Sequence, residues 1–485
     1  MKYKSTRGQV SGLSFSDALL MGLASDNGLL VPESIPDVTD KLAQWQELGF
    51  VALAQELMPL FIDDIDSEVL KKLIAESYSS FAHEDVVGMQ ELGSLTVLEL
   101  FHGPTLAFKD VALQLLGKLF EHVLGQRQQR LNILGATSGD TGSAAIDGVR
   151  GQKNVDIFIM YPKGRVSPLQ ELQMTTVADD NVHCIELEGS FDDCQNIMKT
   201  VFADADYKAK YQLGAVNSVN WARVLAQIVY YGYASLRHPE PSVFCVPTGN
   251  FGNVFAAYLA KRMGFPIKHL LVATNDNDIL ARFFATGTYA RGTVHQTISP
   301  AMDIQVASNF ERFLYYHFGQ DSARLTQFME DFAAQGQAGI GAPPAEALMS
   351  SVAVNREQTL AAMREVNERF GYTLDPHTAV GYYAAKRLTE QSEEHSGAPV
   401  VVVGTAHPAK FPEAVEEATG SEPTHPTLSV LHGLPKRSHP LPCDIEAVKA
   451  YLVSSLGAEL PATCDQDNLA MEIGRADKDC TSAEG

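Results

Sequence analysis

The sequence predicts an α/β protein with a largely parallel sheet, preceded by a mainly helical N-terminal lobe. Three observations carry this. Between Leu131 and Thr274, short apolar runs alternate with loops and amphipathic stretches, the strand–loop–helix rhythm of α/β folds. Val400-Val401-Val402-Val403 is a continuous apolar run, as expected of a strand buried on both faces. The stretch before Leu95 instead carries helical spacing.

In order, the N-terminal lobe reads as helices over Ser14–Ala24, Asp40–Leu60 and Ser67–Ser79, with a turn at Asp26-Asn27-Gly28. An apolar-rich run, Leu95–Leu100, leads into the stretch Phe101–Asp110, which turns at Gly103-Pro104-Thr105. A helix follows through Val111–Leu116. Strands are expected at Leu131–Gly135, Val155–Met160, Val182–Leu187, Val243–Val246, His269–Thr274 and Pro399–Gly404. Helices are expected at Ser143–Val149, Asn220–Leu236 and Val254–Met263, and Asn309–Val366 reads as helix-rich. Beyond about Leu460 acidic residues dominate and aromatics vanish, which predicts a disordered tail.

The chain has 485 residues, enough for about two to three structural units. With 45% hydrophobic and 20% charged residues it reads as globular. A net charge of -22 makes nucleic acid and anionic membrane poor partners, so an anionic substrate needs a local cationic pocket. The six cysteines form no Cys-x-x-Cys pair, which argues against a metal centre or disulfide framework and fits a reducing cytoplasm. The start, Met1–Arg7, lacks the apolar core of a signal peptide, and no apolar run is long enough to span a bilayer.

Six stretches carry possible chemistry. Lys109 stands at a helix start between Phe108 and an apolar face, where desolvation would lower an amine's pKa and make it nucleophilic. The bland reading is a lysine that snorkels to solvent beside Asp110. Gly249-Asn250-Phe251-Gly252-Asn253 joins a strand to a helix, a geometry that presents backbone N–H groups to an anion, or simply turns the chain. Ser138, Asp140 and Thr141 form a similar loop whose residue types also suit a helix cap. Lys163 and Arg165 follow a strand end, and Asn220 and Arg223 head a helix; each pair suits an anion or an ordinary surface. Thr405 ends the buried strand with a hydroxyl able to meet a ring nitrogen, or to close a plain turn. Together these are the needs of a pyridoxal phosphate site.

The run His102-Gly103-Pro104-Thr105-x-Ala107-Phe108-Lys109-Asp110 resembles the cofactor-lysine motif of threonine synthases. The likeness extends through Ser5-Thr6-Arg7-Gly8, Ser138–Gly142, Asn217–Arg223, Gly249–Gly252, Ser299-Pro300-Ala301-Met302-Asp303-Ile304 and Gly404–Phe411, and is similar to the bacterial and fungal branch of that family. The resemblance implies pyridoxal-phosphate fold type II, with two open twisted sheets flanked by helices. It implies conversion of O-phospho-L-homoserine and water to L-threonine and phosphate. Carried over by position, Lys109 forms the bond to the cofactor and moves protons. Gly249, Asn250, Phe251, Gly252 and Asn253 cradle its phosphate, and Thr405 meets its ring nitrogen. Ser138, Asp140 and Thr141 line the substrate side. Lys163, Arg165, Asn220 and Arg223 are the candidates for the substrate's phosphate. The implied organisation is an N-terminal domain 1–94, a catalytic region 95–420 with a smaller mobile lobe about 111–215, a C-terminal helical segment 421–458 and the tail 459–485. A cytoplasmic monomer or small homo-oligomer without metal is expected. An O-phosphohomoserine phospholyase giving 2-oxobutanoate would share these motifs; the cations Lys163 and Arg165 argue against a serine/threonine dehydratase-like enzyme, and the intact Lys109 and Gly249–Gly252 loop against an inactive cofactor-binding paralogue.

Overall fold

A computed structural model describes residues 1–137, 139–344, 348–391 and 397–457. The predicted tail 459–485 lies outside the described residues. In the N-terminal region the helix Phe15–Met21 opens with a capping box between Ser14 and Asp17. The stretch expected as one helix over Asp40–Leu60 is two, Leu42–Trp45 and Phe50–Leu57. Gly49 breaks it by taking an extended conformation ahead of the second helix. The helix Ser67–Tyr78 follows, capped by Asp66. Tyr3–Ser5 and Leu30–Pro32 add a short antiparallel pair that helical spacing did not foretell.

Two sheets organise the remainder. The larger has six strands in the order Met349–Ala353, Ile267–Thr274, Ser242–Pro247, Val400–Gly404, Leu95–Glu99 and Gly88–Leu92. All pairs are parallel except the last, where an edge strand turns back antiparallel. Val400–Gly404 is buried throughout, as a central strand must be. The smaller sheet has five strands, all parallel, in the order His439–Pro442, Val182–Glu188, Val155–Pro162, Leu131–Ala136 and Leu213–Gly214. Its outermost strand comes from the C-terminal segment, expected to be helical. Pro440 and Pro442 lack an N–H and are tolerated there because the strand is at an edge. Met349–Ala353 is likewise a strand inside the stretch read as helix-rich; five residues are too few to set a period.

The helix Trp221–Ser235 is buried along its whole length and packs against the helices Lys109–Arg127 and Gly252–Arg262. The helix Asp140–Val149 lies tightly on Lys109–Arg127. A Cβ on Gly117 would lie 1.8 Å from the Gly148 carbonyl oxygen, so only glycine permits this approach. Strand polarity then fixes the site. Three adjacent parallel strands end at the turn before Lys109, at Thr405 and at the Gly249 loop, while the smaller sheet delivers Asp140 beyond Ala136. Ligands of open α/β sheets bind at such carboxyl ends.

Candidate active site

Lys109 is the first residue of its helix and is buried. The turn before it is held from two sides. Thr105 donates its N–H and its hydroxyl to the two carboxylate oxygens of Asp110, at 2.8 and 2.5 Å. A Cβ on Gly103 would overlap that carboxylate, at 2.6 Å from Oδ2. On the other side, Phe108 N–H donates to the Thr405 carbonyl at 2.8 Å and His407 N–H to the Leu106 carbonyl at 3.0 Å. The lysine turn and the end of the central strand are therefore stitched together. Lys109 Nζ lies over the Phe108 ring, 5.2 Å from its centroid. Burial lowers its pKa; Asp140 opposes that shift, while Lys410 and Arg223 add to it.

Asp140 begins the helix Asp140–Val149, where a carboxylate is favoured by the backbone dipoles. Its Oδ2 is 3.7 Å from Lys109 Nζ and its Oδ1 3.0 Å from Lys410 Nζ. Gln170 Nε2 donates to Oδ1 at 2.9 Å. Burial disfavours its charge, but the two lysines outweigh that and hold the carboxyl well below the usual carboxylate range. Thr141 follows on the same helix, half-buried. Ser138 lies outside the described residues.

The Gly249 loop passes between the strand Ser242–Pro247 and the helix Gly252–Arg262. Gly249 presses on residues 299–303: a Cβ there would be 2.6 Å from the Ala301 carbonyl oxygen. Phe251 takes a left-handed backbone conformation, φ 65°, and buries its ring against Phe310 and Phe313. Its part in any cradle is thus its backbone. The exposed Asn250 gives its carbonyl to Asn309 N–H at 3.0 Å. Asn253 Oδ1 accepts from both Tyr230 and Tyr231 hydroxyls, which fixes the amide and leaves Nδ2 buried without a partner among the described residues.

A chain of hydrogen bonds links this cradle to Thr405. Ala301 N–H donates to His377 Nε2 at 3.2 Å, and His377 Nδ1 meets Asp375 Oδ1 at 2.9 Å. The Ala301 donor requires Nε2 to accept, so the ring proton is assigned to Nδ1. The other Asp375 oxygen accepts from the Thr378 hydroxyl, which accepts from Thr405 N–H at 3.1 Å. Thr405 Oγ1 remains buried without a partner among the described residues.

The four phosphate candidates separate. Arg223 is buried, Nε and Nη1 have no partner among the described residues, and burial pushes its pKa down to about 10. Asn220 is buried but occupied: Oδ1 caps Ala222 N–H and Nδ2 donates to the Leu19 carbonyl. Lys163 and Arg165 are exposed on the loop after Val155–Pro162. Lys163 faces Glu188 at 3.8 Å, and Arg165 lies in the field of Asp193. Lys410, Gln170, Gln173 and Asp375 are not singled out by the sequence, and His377 reads there as an ordinary structural histidine. Lys410 stood in the run Gly404–Phe411 with apolar neighbours on both sides, a signal of burial that its charge obscured.

The unpartnered buried atoms of Thr405, Asn253 and Arg223, with the glycine-lined loop, fit a ligand that has a ring nitrogen and a phosphate, next to a second anion. The chain also matches three family models: "Threonine synthase N terminus" over residues 2–78, "Pyridoxal-phosphate dependent enzyme" over 89–406 and "Threonine synthase, C-terminal" over 378–452. It is 49% identical over 463 residues to the threonine synthase of Pseudomonas aeruginosa, covering 93% of this chain and 98% of that protein.

The chain belongs to the threonine synthase family.

Solved members of the family share its fold. The PLP-bound threonine synthase of Brucella melitensis superposes with a TM-score of 0.90 at 44% identity, covering 93% of this chain and 98% of that one. Yeast threonine synthase gives 0.88 at 39%, covering 94% and 99%. The fold is therefore pyridoxal-phosphate fold type II, and the cofactor is pyridoxal phosphate. Among the described residues, no group of histidine, cysteine and carboxylate side chains is placed to hold a metal, and no helix is long and apolar enough to cross a membrane.

Proposed function

We propose that this chain converts O-phospho-L-homoserine and water to L-threonine and phosphate. The observation that carries the reading is the set of buried polar atoms without a partner among the described residues: Thr405 Oγ1 at the strand end stitched to the Lys109 turn, Asn253 Nδ2 beside the Gly249 loop, and Arg223 Nε and Nη1. When bound, pyridoxal phosphate supplies an electron sink for carbanions beside its imine carbon. Lys109 Nζ would hold the cofactor's aldehyde carbon and, as a neutral amine in a dry site, would remove and return protons. Thr405 Oγ1 orients the ring through its nitrogen. Asn253 Nδ2 and the backbone N–H groups of Gly249, Asn250, Phe251 and Gly252 hold the cofactor phosphate at the head of a helix.

Arg223 is the first choice for the substrate's phosphate, because a buried guanidinium with free donors is costly until an anion reaches it. Asn220 caps Arg223's helix and so sets where that guanidinium begins. Lys163 and Arg165 take second place, at the carboxyl edge of the smaller sheet that also carries Asp140. Thr141, in the first turn of the helix Asp140–Val149, and Ser138 are assigned to the substrate carboxylate. Phe108 covers one side of Lys109 and helps exclude water. The four described cysteines are free thiols, which supports a reducing cytoplasm.

The test is incubation of the purified protein with O-phospho-L-homoserine, measuring threonine and phosphate together. Equal amounts of both are expected. Phosphate with 2-oxobutanoate in place of threonine would overturn the reading in favour of a phospholyase.

A further inference from the structure

Lys410 has a buried ammonium whose side chain exposes nothing to solvent. It donates to the Thr105 carbonyl at 2.7 Å and to Gln173 Oε1 at 2.9 Å, and it forms an ion pair with Asp140 Oδ1 at 3.0 Å. An ammonium has three donors, and these three oxygens surround it. Lys410 therefore has none left for a substrate or cofactor, and its role must run through these partners. They come from three places: the turn before Lys109, the helix Pro168–Thr175, and the head of the helix Asp140–Val149. The carboxylate it holds is the one facing Lys109, whose Nζ is 3.7 Å from the other oxygen.

We propose that Lys410 is a positioning residue for Lys109: it engages Asp140 so that this carboxylate does not hold the Lys109 nitrogen in its protonated form. The charge balance supports this. With Lys410 and Asp140 paired, the site is locally neutral when Lys109 is neutral. Without Lys410, Asp140 would be balanced only by a protonated Lys109, the state that cannot abstract a proton. The other charged groups facing Lys109 are Arg223 and Asp110, and His377 faces Asp140. Arg223 repels the proton on Lys109 and Asp110 attracts it. Asp110 is turned toward Thr105 by both of its oxygens, so Asp140 is the carboxylate that Lys410 must control. The inference rests on Lys109 being the cofactor lysine, which is tested separately by locating the cofactor on the chain.

The test uses the holoenzyme and follows the visible absorbance of the lysine-bound cofactor against pH. This reports protonation at the Lys109 nitrogen independently of turnover. In Lys410→Met the midpoint should rise by about one pH unit or more, the scale of one uncompensated charge in a partly screened site. In Asp140→Asn it should fall, and the double variant should return toward wild type. Lys410→Arg, which keeps the charge, should keep the midpoint even where kcat drops. A folded Lys410→Met holoenzyme with an unchanged midpoint would overturn the proposal. If Lys410→Met does not fold, Lys410→Gln is measured in its place, and an unchanged midpoint in that folded holoenzyme would refute the proposal.

Discussion

Replacing Gly249 by alanine should weaken cofactor binding while leaving the rest of the fold in place. The added Cβ would lie 2.6 Å from the Ala301 carbonyl oxygen and 3.3 Å from Met302 Cα, both backbone atoms. One side has to move. Residues 299–303 are held firmly: Ala301 N–H is bound to His377, Asp303 accepts from Asn275, Asn277 and Thr297, and Asn275 also donates to Ser299 Oγ at 3.0 Å. The Gly249 loop has fewer such ties, so the loop should yield and its N–H groups should lose their aim. Overpacking of this kind costs about 1–3 kcal/mol. If the strain is borne in the bound state, the cofactor's dissociation constant should rise roughly 5- to 150-fold. Equilibrium titration of the resolved protein with pyridoxal phosphate measures this, and thermal unfolding of the cofactor-free form shows whether the strain falls on folding instead. Gly252→Ala is the milder comparison, since its Cβ would meet a side-chain atom, Asn309 Nδ2, at 3.1 Å. Gly249→Ala protein with unchanged cofactor affinity and unchanged stability would refute the tight packing between the two loops.

Three further outcomes follow from the same geometry. Thr405→Val keeps the shape but removes an unpartnered hydroxyl, so stability without cofactor should hold within about 0.5 kcal/mol while cofactor affinity falls about tenfold. Arg223→Met should stabilise the cofactor-free fold, by on the order of 1 kcal/mol, and raise KM for O-phospho-L-homoserine roughly 10- to 100-fold; steady-state kinetics and denaturant unfolding check the pair. Asp110 gives a pH signature. Burial raises its pKa to about 6, above the ordinary value of 3.8, so the folded state binds its proton more tightly than the unfolded chain does. Its contribution is fully present below pH 3.8 and is lost as pH rises through 6. The stability of wild type relative to Asp110→Asn should therefore fall between pH 4 and pH 7, by on the order of 3 kcal/mol, in unfolding curves measured across that range.

What the sequence made legible was local. A turn of Gly103-Pro104-Thr105 followed by helical spacing places Lys109 at a helix start, and a strand followed by Gly249–Gly252 reads as a strand-to-helix turn able to present N–H groups to an anion. Period and punctuation are enough for such features. The break at Gly49 was missed because apolar residues on both sides keep helical spacing across it. The partners of the lysine were not legible, because they depend on which strands lie side by side. Lys410 meets Asp140 only because Val400–Gly404 pairs with Leu95–Glu99 and the glycine contact at Gly117 draws the second helix in. Asp375, His377 and Thr378 look like an ordinary helix start in sequence, and Asp375 does accept from the N–H groups of His377 and Thr378. Their link from Ala301 to Thr405 appears only once the helix Pro376–Gln391 is packed beneath the sheet. Lys163 and Arg165 show the converse. Their residue types suited a phosphate, but composition alone does not say which way a loop faces, and both are exposed.

Two buried lysines, Lys109 and Lys410, flank one carboxylate, and only one of them is assigned the bond to the cofactor. Borohydride reduction of the holoenzyme fixes that bond, and peptide mapping by mass spectrometry locates it. The phosphopyridoxyl group is predicted on Lys109, in the peptide that contains Phe108 and Asp110, with Lys410 unmodified; the group found on Lys410 would contradict the assignment of the site.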